Sequence, residues 1–448
     1  MDYKLLAEQI VKKALKQGAD EAEVYMVATR DFQVTVRSGD VEKIKQAAAK
    51  GLSLTVFKDK RPGFSYTSDF SDQSLEAFIK TTVQLSQQTD PKPWNGLPEF
   101  NQEKEINLDL YDPSIAGIPN EKKIDIAKKV EKIALEADKR ITKSMGGFFG
   151  DNEAERFVVN SKGISRSFKE TSVSFGTSVI AGEGDRMQSG NWSSSKRHFR
   201  HLEDIESIAR TAVQRAVEQL GAVPVITQKA AVVFDRYAAR GFWGGILSAM
   251  DGDSVYKKTT FLTDYLDKPI ACPLITIIDD PTIPGHVSSV PFDGEGKITR
   301  KNPIIEKGIL KMFFYSTITA RKAGVKVNTI TQRSGHRSDP TAGILNIIVQ
   351  NGEVPLEKII AGIKNGFYVT GLRGRGTDST TGNYSSGASG SWIKDGEIAF
   401  PVDGVTLGGN VLDLLKNIEV LANDLDMRSS LNSPSFKIAE ITVGGIKS

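Results

Sequence analysis

An alternation of helical and strand-like hydrophobic patterns is the feature that most constrains the fold of this chain. Residues 6–14 carry apolar side chains at helical spacing, and Gly18 stands where a helix would end. Residues 24–36 and 51–57 then alternate in the manner of strands, and a further helical pattern covers residues 72–85. The sequence therefore predicts antiparallel strands flanked by helices.

The same order of patterns returns in the next stretch of the chain. Asn120 is placed to cap a helix, strand-like segments follow at residues 157–159 and 171–180, and a helix is predicted for residues 202–220. A repeated order of elements indicates an internal duplication.

The character of the sequence changes at residues 221–224. Beyond them, turn dipeptides such as Asn351-Gly352 and Asp395-Gly396, and a glycine-rich stretch at residues 371–390, separate short strand-like runs. We therefore expect an α+β fold with two domains. These are an N-terminal α/β domain with antiparallel strands and flanking helices (1–221) and a β-rich domain (222–448).

Composition excludes several classes of function. The 448 residues carry a formal net charge of only +3, with basic and acidic residues interleaved, so direct nucleic-acid binding is not expected. No apolar run approaches the ~20 residues that cross a bilayer, so no membrane partner is expected. Cys272 is the single cysteine, which excludes an intramolecular disulfide. A cytoplasmic location is the prediction.

Metal ligands of the usual hydrolytic kind are scarce. The four histidines (His198, His201, His286 and His336) form no His-Glu-x-x-His or His-Glu-x-x-x-His motif. His198 and His201 lie among lysine and arginine residues that repel a cation, so we interpret them as part of a solvated basic linker. Asp279 and Asp280 are adjacent on a predicted strand and would point to opposite faces, which argues against an acid/base dyad.

A hydroxyl-rich segment leaves two interpretations open. Its hydroxyl side chains belong to Thr380, Thr381, Ser385, Ser386, Ser389 and Ser391. One of them could supply a nucleophile, but no histidine, lysine or glutamate lies in the loop to activate it. Alternatively, the small residues allow an extended peptide to approach the backbone closely. Arg373 and Arg375, just upstream, could bind a substrate carboxylate or lie in a solvated loop.

Several longer motifs resemble the TldD/PmbA metalloprotease family, once described as modulators of DNA gyrase, and specifically its PmbA/TldE branch. The most specific are GDSVYKKTTFL at residues 252–262, PFDGEG at 291–296 and TGNYSSGASGSW at 381–392. The resemblance is strong from about Phe234 to the C-terminus. It implies a two-part α+β chain whose C-terminal, metalloprotease-like portion carries the cleft.

The resemblance also implies a site that has lost its metal ligands. In the TldD branch, a His-Glu-x-x-x-His helix and a later cysteine bind the metal. Asp235, Arg236 and Arg240 stand at the corresponding positions here, and residues 426–432 contain no cysteine. We therefore expect no catalytic residue and no metal in this chain, with zinc in a TldD-like partner.

The function that follows is a metal-free subunit of a TldD/PmbA peptidase complex. Its partners would be a TldD-like metalloprotease subunit and a peptide or unfolded protein, with a homodimer forming when the chain is isolated. The residues expected to line the peptide cleft are Tyr384, Ser385, Gly387, Ala388, Ser389 and Gly390. Two alternatives stay open: a hydrolase active alone through Thr381, Ser385 or Ser389, and a regulatory protein-binding module.

Overall fold

Two α-β-β-β-α units build the N-terminal half of the chain. The computed structural model describes residues 2–99, 103–184, 187–327 and 329–446. The elements of the first unit are α1 (Tyr3–Lys16), β1 (Glu21–Arg37), β2 (Asp40–Lys58), β3 (Arg61–Thr67) and α2 (Asp72–Ser86). Those of the second unit are α3 (Asn120–Glu136), β4 (Ile141–Asn160), β5 (Ser165–Ala181), β6 (Gln188–Lys196) and α4 (Ile205–Val217). The predicted repetition of element order is thus present in the structure.

One six-stranded antiparallel sheet unites the two units. Its strand order is β3-β2-β1-β4-β5-β6, so the first strand of each unit pairs with the other at the centre. Val24 and Met26 of β1 pack against α1 and α2, whereas Val34 on the same face packs against α3 and α4. Tyr25, on the opposite face, packs near Phe292 of the C-terminal half. The helices therefore cover one face, and the C-terminal half contacts the other.

The helix ends show how local sequence places these elements. The Asp2 carboxylate accepts the Leu5 N–H at 3.1 Å and caps α1, and Asp204 caps α4 in the same way. Asn120 was expected to cap α3, but Pro119 occupies the cap and Asn120 is the first helical residue. Proline suits this place because the first N–H groups of a helix have no intrahelical partner.

The C-terminal half contains most of the short elements. In chain order these are β7 (Gln228–Phe234), α5 (Ala239–Ser248), α6 (Gly252–Tyr256), β8 (Ile277–Asp279), β9 (Asn302–Glu306), β10 (Ile309–Leu310), α7 (Thr317–Ala323), β11 (Ile330–Gln332), β12 (Thr341–Gly343), β13 (Ile347–Val349), α8 (Leu356–Ala361), β14 (Asn365–Thr377), β15 (Asn383–Lys394), β16 (Glu397–Asn410), α9 (Val411–Lys416), β17 (Ile418–Leu421), β18 (Leu431–Asn432) and β19 (Phe436–Gly444). The α+β class and the β-rich C-terminal half are confirmed.

The main C-terminal sheet closes on itself. Its order is β16-β15-β14-β7-β19-β17, and a further pairing of β16 with β19 joins the ends of the first five strands. An aromatic cluster fills the interior, where the Phe234 and Phe436 rings stack with centroids 5.0 Å apart. Phe242 and Trp243 of α5 pack onto this pair. A rigid core therefore anchors the strand end and the helix that follows it.

Buried ionic contacts connect the two halves. Glu23 of β1 pairs with Arg333, and both side chains are almost fully buried. Burial raises the pKa of the Glu23 carboxyl to about 7, against the opposing charge of Arg333. Arg166 of β5 donates to the Gly296 carbonyl at 2.8 Å. These contacts fix the N-terminal sheet against the C-terminal half.

The segment around His198 does not form the solvated linker expected from its charges. Arg197 pairs with Glu170 at 2.8 Å, and the His198 Nε2 atom lies 2.8 Å from the Asp109 carbonyl oxygen. Arg197 and His198 are 6% and 5% exposed. That prediction was wrong because the segment lies between the two halves, where buried partners replace water.

None of the helices in the described ranges is long and apolar enough to cross a membrane.

Candidate functional site

A cavity of about 620 Å³ lies between the two halves of the chain. The N-terminal half contributes β6 and α4 to its wall, and the C-terminal half contributes the end of β7, parts of β14 and β15, and the segment before β18. Its principal side chains come from both halves and are aromatic or charged: Trp192, Arg215, Asp235, Arg236, Tyr368 and Arg428. Such concave sites with converging polar groups are typical of ligand binding.

Strand β7 aims Asp235 into this cavity. Val232 and Phe234 point into the barrel core, and the residue after Phe234 therefore faces the opposite side. The Asp235 carboxylate accepts the backbone N–H groups of Tyr237 and Ala238, just before α5 begins. Burial raises the pKa of this carboxyl to about 6, although these hydrogen bonds and the charge of Arg215 oppose the shift.

Guanidinium groups surround the aromatic side chains of the cavity. The Arg428 guanidinium lies 4.3 Å and that of Arg215 lies 5.0 Å from the centre of the Trp192 ring. Tyr237 contacts Trp192 edge-on at 4.8 Å, and its ring lies 5.1 Å from Arg236. These cation–π contacts join residues of both halves.

The segment that was expected to correspond to the third ligand position does lie beside Asp235 and Tyr237. The Tyr237 hydroxyl donates to Asp426 at 3.1 Å, and Arg428 pairs with both Asp426 and Glu203. Arg236 donates to the Asp424 carbonyl at 2.9 Å. The cavity thus brings together two regions almost 200 positions apart.

The predicted peptide-binding residues divide between the two faces of β15. Tyr384, Ala388 and Gly390 are buried on the core side, where the Tyr384 ring packs 5.4 Å from that of Phe242. Ser385, Gly387 and Ser389 lie on the other side of the strand, and Ser389 lines the cavity. The six residues predicted to line a peptide cleft therefore do not share one face of the strand, because consecutive side chains point in opposite directions.

The hydroxyl groups of this segment differ in whether a titratable side chain lies within hydrogen-bonding distance. Among the described residues, neither Ser385 nor Ser389 forms a hydrogen bond with a titratable side chain, and the cavity wall contains no histidine. The Thr381 hydroxyl and the Thr380 and Thr381 N–H groups all bind the Asp378 carboxylate, which closes a turn. A hydroxyl nucleophile therefore has no support from these contacts.

The other charged residues considered as site candidates form hydrogen bonds and ion pairs within the fold. Asp279 ends β8, and its carboxylate accepts the Asn346 N–H at 2.8 Å, whereas Asp280 accepts the Thr282 hydroxyl and N–H. Arg373 pairs with Asp403 at 3.2 Å on the surface. The described residues contain no group of three or more histidine, cysteine or carboxylate side chains suited to a metal ion.

Comparison with known proteins places the chain in a family. Its residues 22–86, 113–220 and 227–445 match models described as PmbA/TldA metallopeptidase domain 1, central domain and C-terminal domain. The chain thus belongs to the PmbA/TldD metallopeptidase family.

Relatives within the family include both of its named types. The chain is 31% identical to "Metalloprotease PmbA" of Escherichia coli O157:H7, over 98% of this chain and 96% of that one. Identity to "Metalloprotease TldD homolog" of Haemophilus influenzae is 25%, over 96% and 94% of the two chains. The chain therefore has more identical residues with this PmbA than with this TldD relative.

Solved structures share the whole fold. A putative modulator of DNA gyrase from Bacteroides thetaiotaomicron superimposes with a TM-score of 0.92 at 28% identity, covering 100% of both chains. TldE from Thermococcus kodakarensis gives a TM-score of 0.86 at 25% identity, covering 98% of this chain and 99% of that one. The arrangement of both halves is therefore common to these proteins.

The residues at the end of β7 do not fit the metal ion that the family name implies. Zinc in a hydrolase requires three neutral nitrogen, thiolate or carboxylate donors and an open position. Here Asp235 is engaged by two backbone N–H groups, Asp426 is engaged by Tyr237 and Arg428, and Arg236 and Arg240 add positive charge. Cys272, the single thiol of the chain, packs near the barrel core instead of lining the cavity.

Proposed function

We propose that this chain is a PmbA/TldE-type subunit that binds no metal of its own and acts with a TldD-like, zinc-bearing subunit in peptide proteolysis. One observation supports this most directly. At the end of β7, where the resemblance places the metal ligands and the water-activating acid, Arg236 and Arg240 bring guanidinium groups against Tyr237. These two positive charges repel a divalent metal ion from this place.

The role of this subunit is to help hold a peptide. The cavity between the halves has the size of a small-ligand site, and Ser389 and the backbone bulge of β14 beside Gly371 lie in its wall. Ser385, Gly387 and Ser389 are the part of the predicted lining that this proposal keeps. The single cysteine supports a reducing, cytoplasmic location in the same proposal.

Pairing through the C-terminal half is part of the proposal. Five large apolar side chains near β16 and the C-terminus are 38–52% exposed: Val223, Ile226, Ile398, Phe400 and Ile446. Val223 bridges Val402 of β16, and Ile226 bridges Ile446, so residues 223–226 connect β16 with the C-terminal segment. Exposed apolar residues of this kind favour a protein interface, with a second copy when the chain is isolated and with the TldD-like subunit in the cell.

The test is reconstitution with the TldD-like chain of the same organism. Each chain is purified alone and together, its zinc content is measured by atomic absorption, and digestion of an unfolded protein is followed with time. We expect digestion only when both chains are present, and zinc only in proportion to the TldD-like chain. Stoichiometric zinc in this chain alone, or digestion by it alone that survives a chelator, would refute the proposal.

A second test changes the three residues that stand at the positions of the family's metal motif. The triple substitution Asp235→His, Arg236→Glu and Arg240→His restores the sequence of the family's metal motif. We expect this variant to bind more zinc than the natural chain, because two imidazoles replace a carboxylate held by backbone N–H groups and a guanidinium. Equal zinc content in both would show that these residues do not decide metal binding.

A further inference from the structure

Arg215 on helix α4 is a guanidinium without a carboxylate partner in the cavity wall. It stacks on Trp192, and its hydrogen bond to the Thr370 carbonyl is long, at 3.4 Å. Among the residues that the structure describes, no carboxylate oxygen lies within 4.0 Å of it. By contrast, Arg428 across the cavity pairs with both Glu203 and Asp426. Arg215 therefore has donors available for an anion.

Gln219, two residues past the end of α4, offers the complementary group. Its Nε2 atom donates to the Gly390 carbonyl at 3.2 Å, which fixes the orientation of the amide. Its Oε1 atom is buried and has no hydrogen-bond partner in the described part of the chain. A buried acceptor without a donor is unfavourable, so this oxygen favours a ligand that brings an N–H group.

The acidic side chains of the cavity are already engaged. Arg428 pairs with both Glu203 and Asp426. The Asp235 carboxylate accepts two backbone N–H groups, and Glu218 accepts the Gln214 amide at 2.6 Å. Within the described cavity wall, neither Arg215 nor Arg236 has a carboxylate within 4.0 Å, but Arg236 donates to the Asp424 carbonyl at 2.9 Å. The Gln219 Oε1 atom lacks a donor.

Arg215, near the end of α4, and Gln219, two residues past that end, both line the cavity. The last residue of a peptide likewise carries a carboxylate and nearby backbone N–H groups. From this match we propose that the cavity binds the free C-terminal carboxylate of a peptide, with Arg215 donating to the carboxylate and Gln219 accepting a backbone N–H. This inference deepens the proposed function, since it names the end of the peptide that the subunit holds.

The test compares two peptides on the isolated full-length chain by calorimetry. The probes are N-acetyl-tetraalanine with a free C-terminal carboxylate and the same peptide with a C-terminal amide. We expect the acid to bind at least about tenfold more tightly, because a charge-assisted hydrogen bond to guanidinium is roughly twice as strong as a neutral one. Equal affinities, or no binding of either peptide, would overturn the inference.

Matched variants assign the effect to the two side chains. Arg215→Gln is expected to remove the preference for the acid, whereas Arg210→Gln is expected to leave it unchanged. Arg210 lies on the same helix but is exposed and pairs with Glu206 outside the cavity. Gln219→Leu is expected to weaken acid and amide by a similar factor, since both peptides share the N–H group. Circular dichroism melting curves establish that each variant is folded.

This experiment is separate from the test of the subunit proposal. It requires neither zinc nor a partner chain, so a failed preference for the acid leaves partner-dependent digestion to be judged by reconstitution. Conversely, a chain that proved active alone would overturn the subunit proposal without deciding which end of the peptide is bound. An acid preference retained by Arg215→Gln would overturn the assignment of the carboxylate site.

Discussion

The two faces of strands β7 and β15 serve different purposes although they share one backbone. Phe234 and Tyr384 point into the aromatic core and are almost completely buried. Asp235 and Ser389 point to the cavity between the halves. Strand alternation thus places a residue that stabilises the fold next to one that faces a ligand. Substitutions at neighbouring positions should therefore have separable effects on stability and binding.

The largest effect is expected for Phe234→Ala. The ring is fully buried and stacks on Phe436, with Phe242 at 5.2 Å, so its removal leaves a cavity that the rigid barrel cannot fill. We expect a loss of about 3–5 kcal/mol in the free energy of unfolding. Urea unfolding followed by circular dichroism measures this loss. A loss below about 1 kcal/mol would contradict the tight packing assigned to the core face.

A smaller and pH-dependent effect is expected for Asp235→Asn. The pKa of Asp235 is about 6 in the folded chain, against an ordinary value of 3.8. Between pH 3.8 and pH 6, Asp235 is therefore protonated in the folded chain and ionised in the unfolded chain. The free energy of unfolding of the natural chain therefore falls as pH rises through this window. Asparagine does not ionise, so the variant should not show this fall. At pH 7.5 we expect the variant to be more stable by roughly 1–3 kcal/mol.

The measurement for this prediction is urea unfolding of both chains at several pH values between 4 and 7.5. Asp378→Asn serves as a control of opposite sign, because hydrogen bonds from Thr381 and Thr380 lower the pKa of the Asp378 carboxyl. That variant should already be less stable than the natural chain at pH 4, and the difference should stay nearly constant up to pH 7.5, because the carboxyl of Asp378 titrates at or below its ordinary value of 3.8. A stability difference for Asp235→Asn that does not change with pH would show that burial does not disfavour the charge there.

The smallest effect is expected for Ser389→Ala on the cavity face. No hydrogen bond of this hydroxyl connects it with a titratable group in the described ranges, so we expect a change in unfolding free energy within about 0.5 kcal/mol. Peptide digestion by the reconstituted pair should persist, with Ser385→Ala as the matched control. Loss of digestion in the Ser389 variant alone would instead favour the serine-nucleophile alternative.

Periodicity predicted the N-terminal elements well where one side of an element is buried. Helix α2 was expected at 72–85 and spans Asp72–Ser86. Strand β2, expected at 51–57, extends from Asp40 to Lys58, because residues 40–50 are largely exposed and carry no apolar alternation to reveal the strand. Duplication of the first unit and the domain boundary at residue 221 stay predictions.

The site could be predicted only in part. Asp235, Arg236 and Arg240 follow a strongly apolar strand. Only the resemblance to the family indicated that they stand at the positions of the metal motif. Trp192 and Arg215 were missed because they belong to the N-terminal half and carry no local pattern that links them to β7. Only the packing of the two halves brings these side chains together, and that packing depends on long-range contacts which no short motif encodes.

The position of Trp192 between two guanidinium groups gives the molecule an internal optical sensor. Arg215 approaches the indole from the N-terminal half and Arg428 from the C-terminal half. Indole emission responds to nearby charge, so a ligand or a subunit that alters the spacing of the halves will change the signal of this tryptophan. Ligand binding in the cavity can therefore be followed through the fluorescence of Trp192, without an attached label.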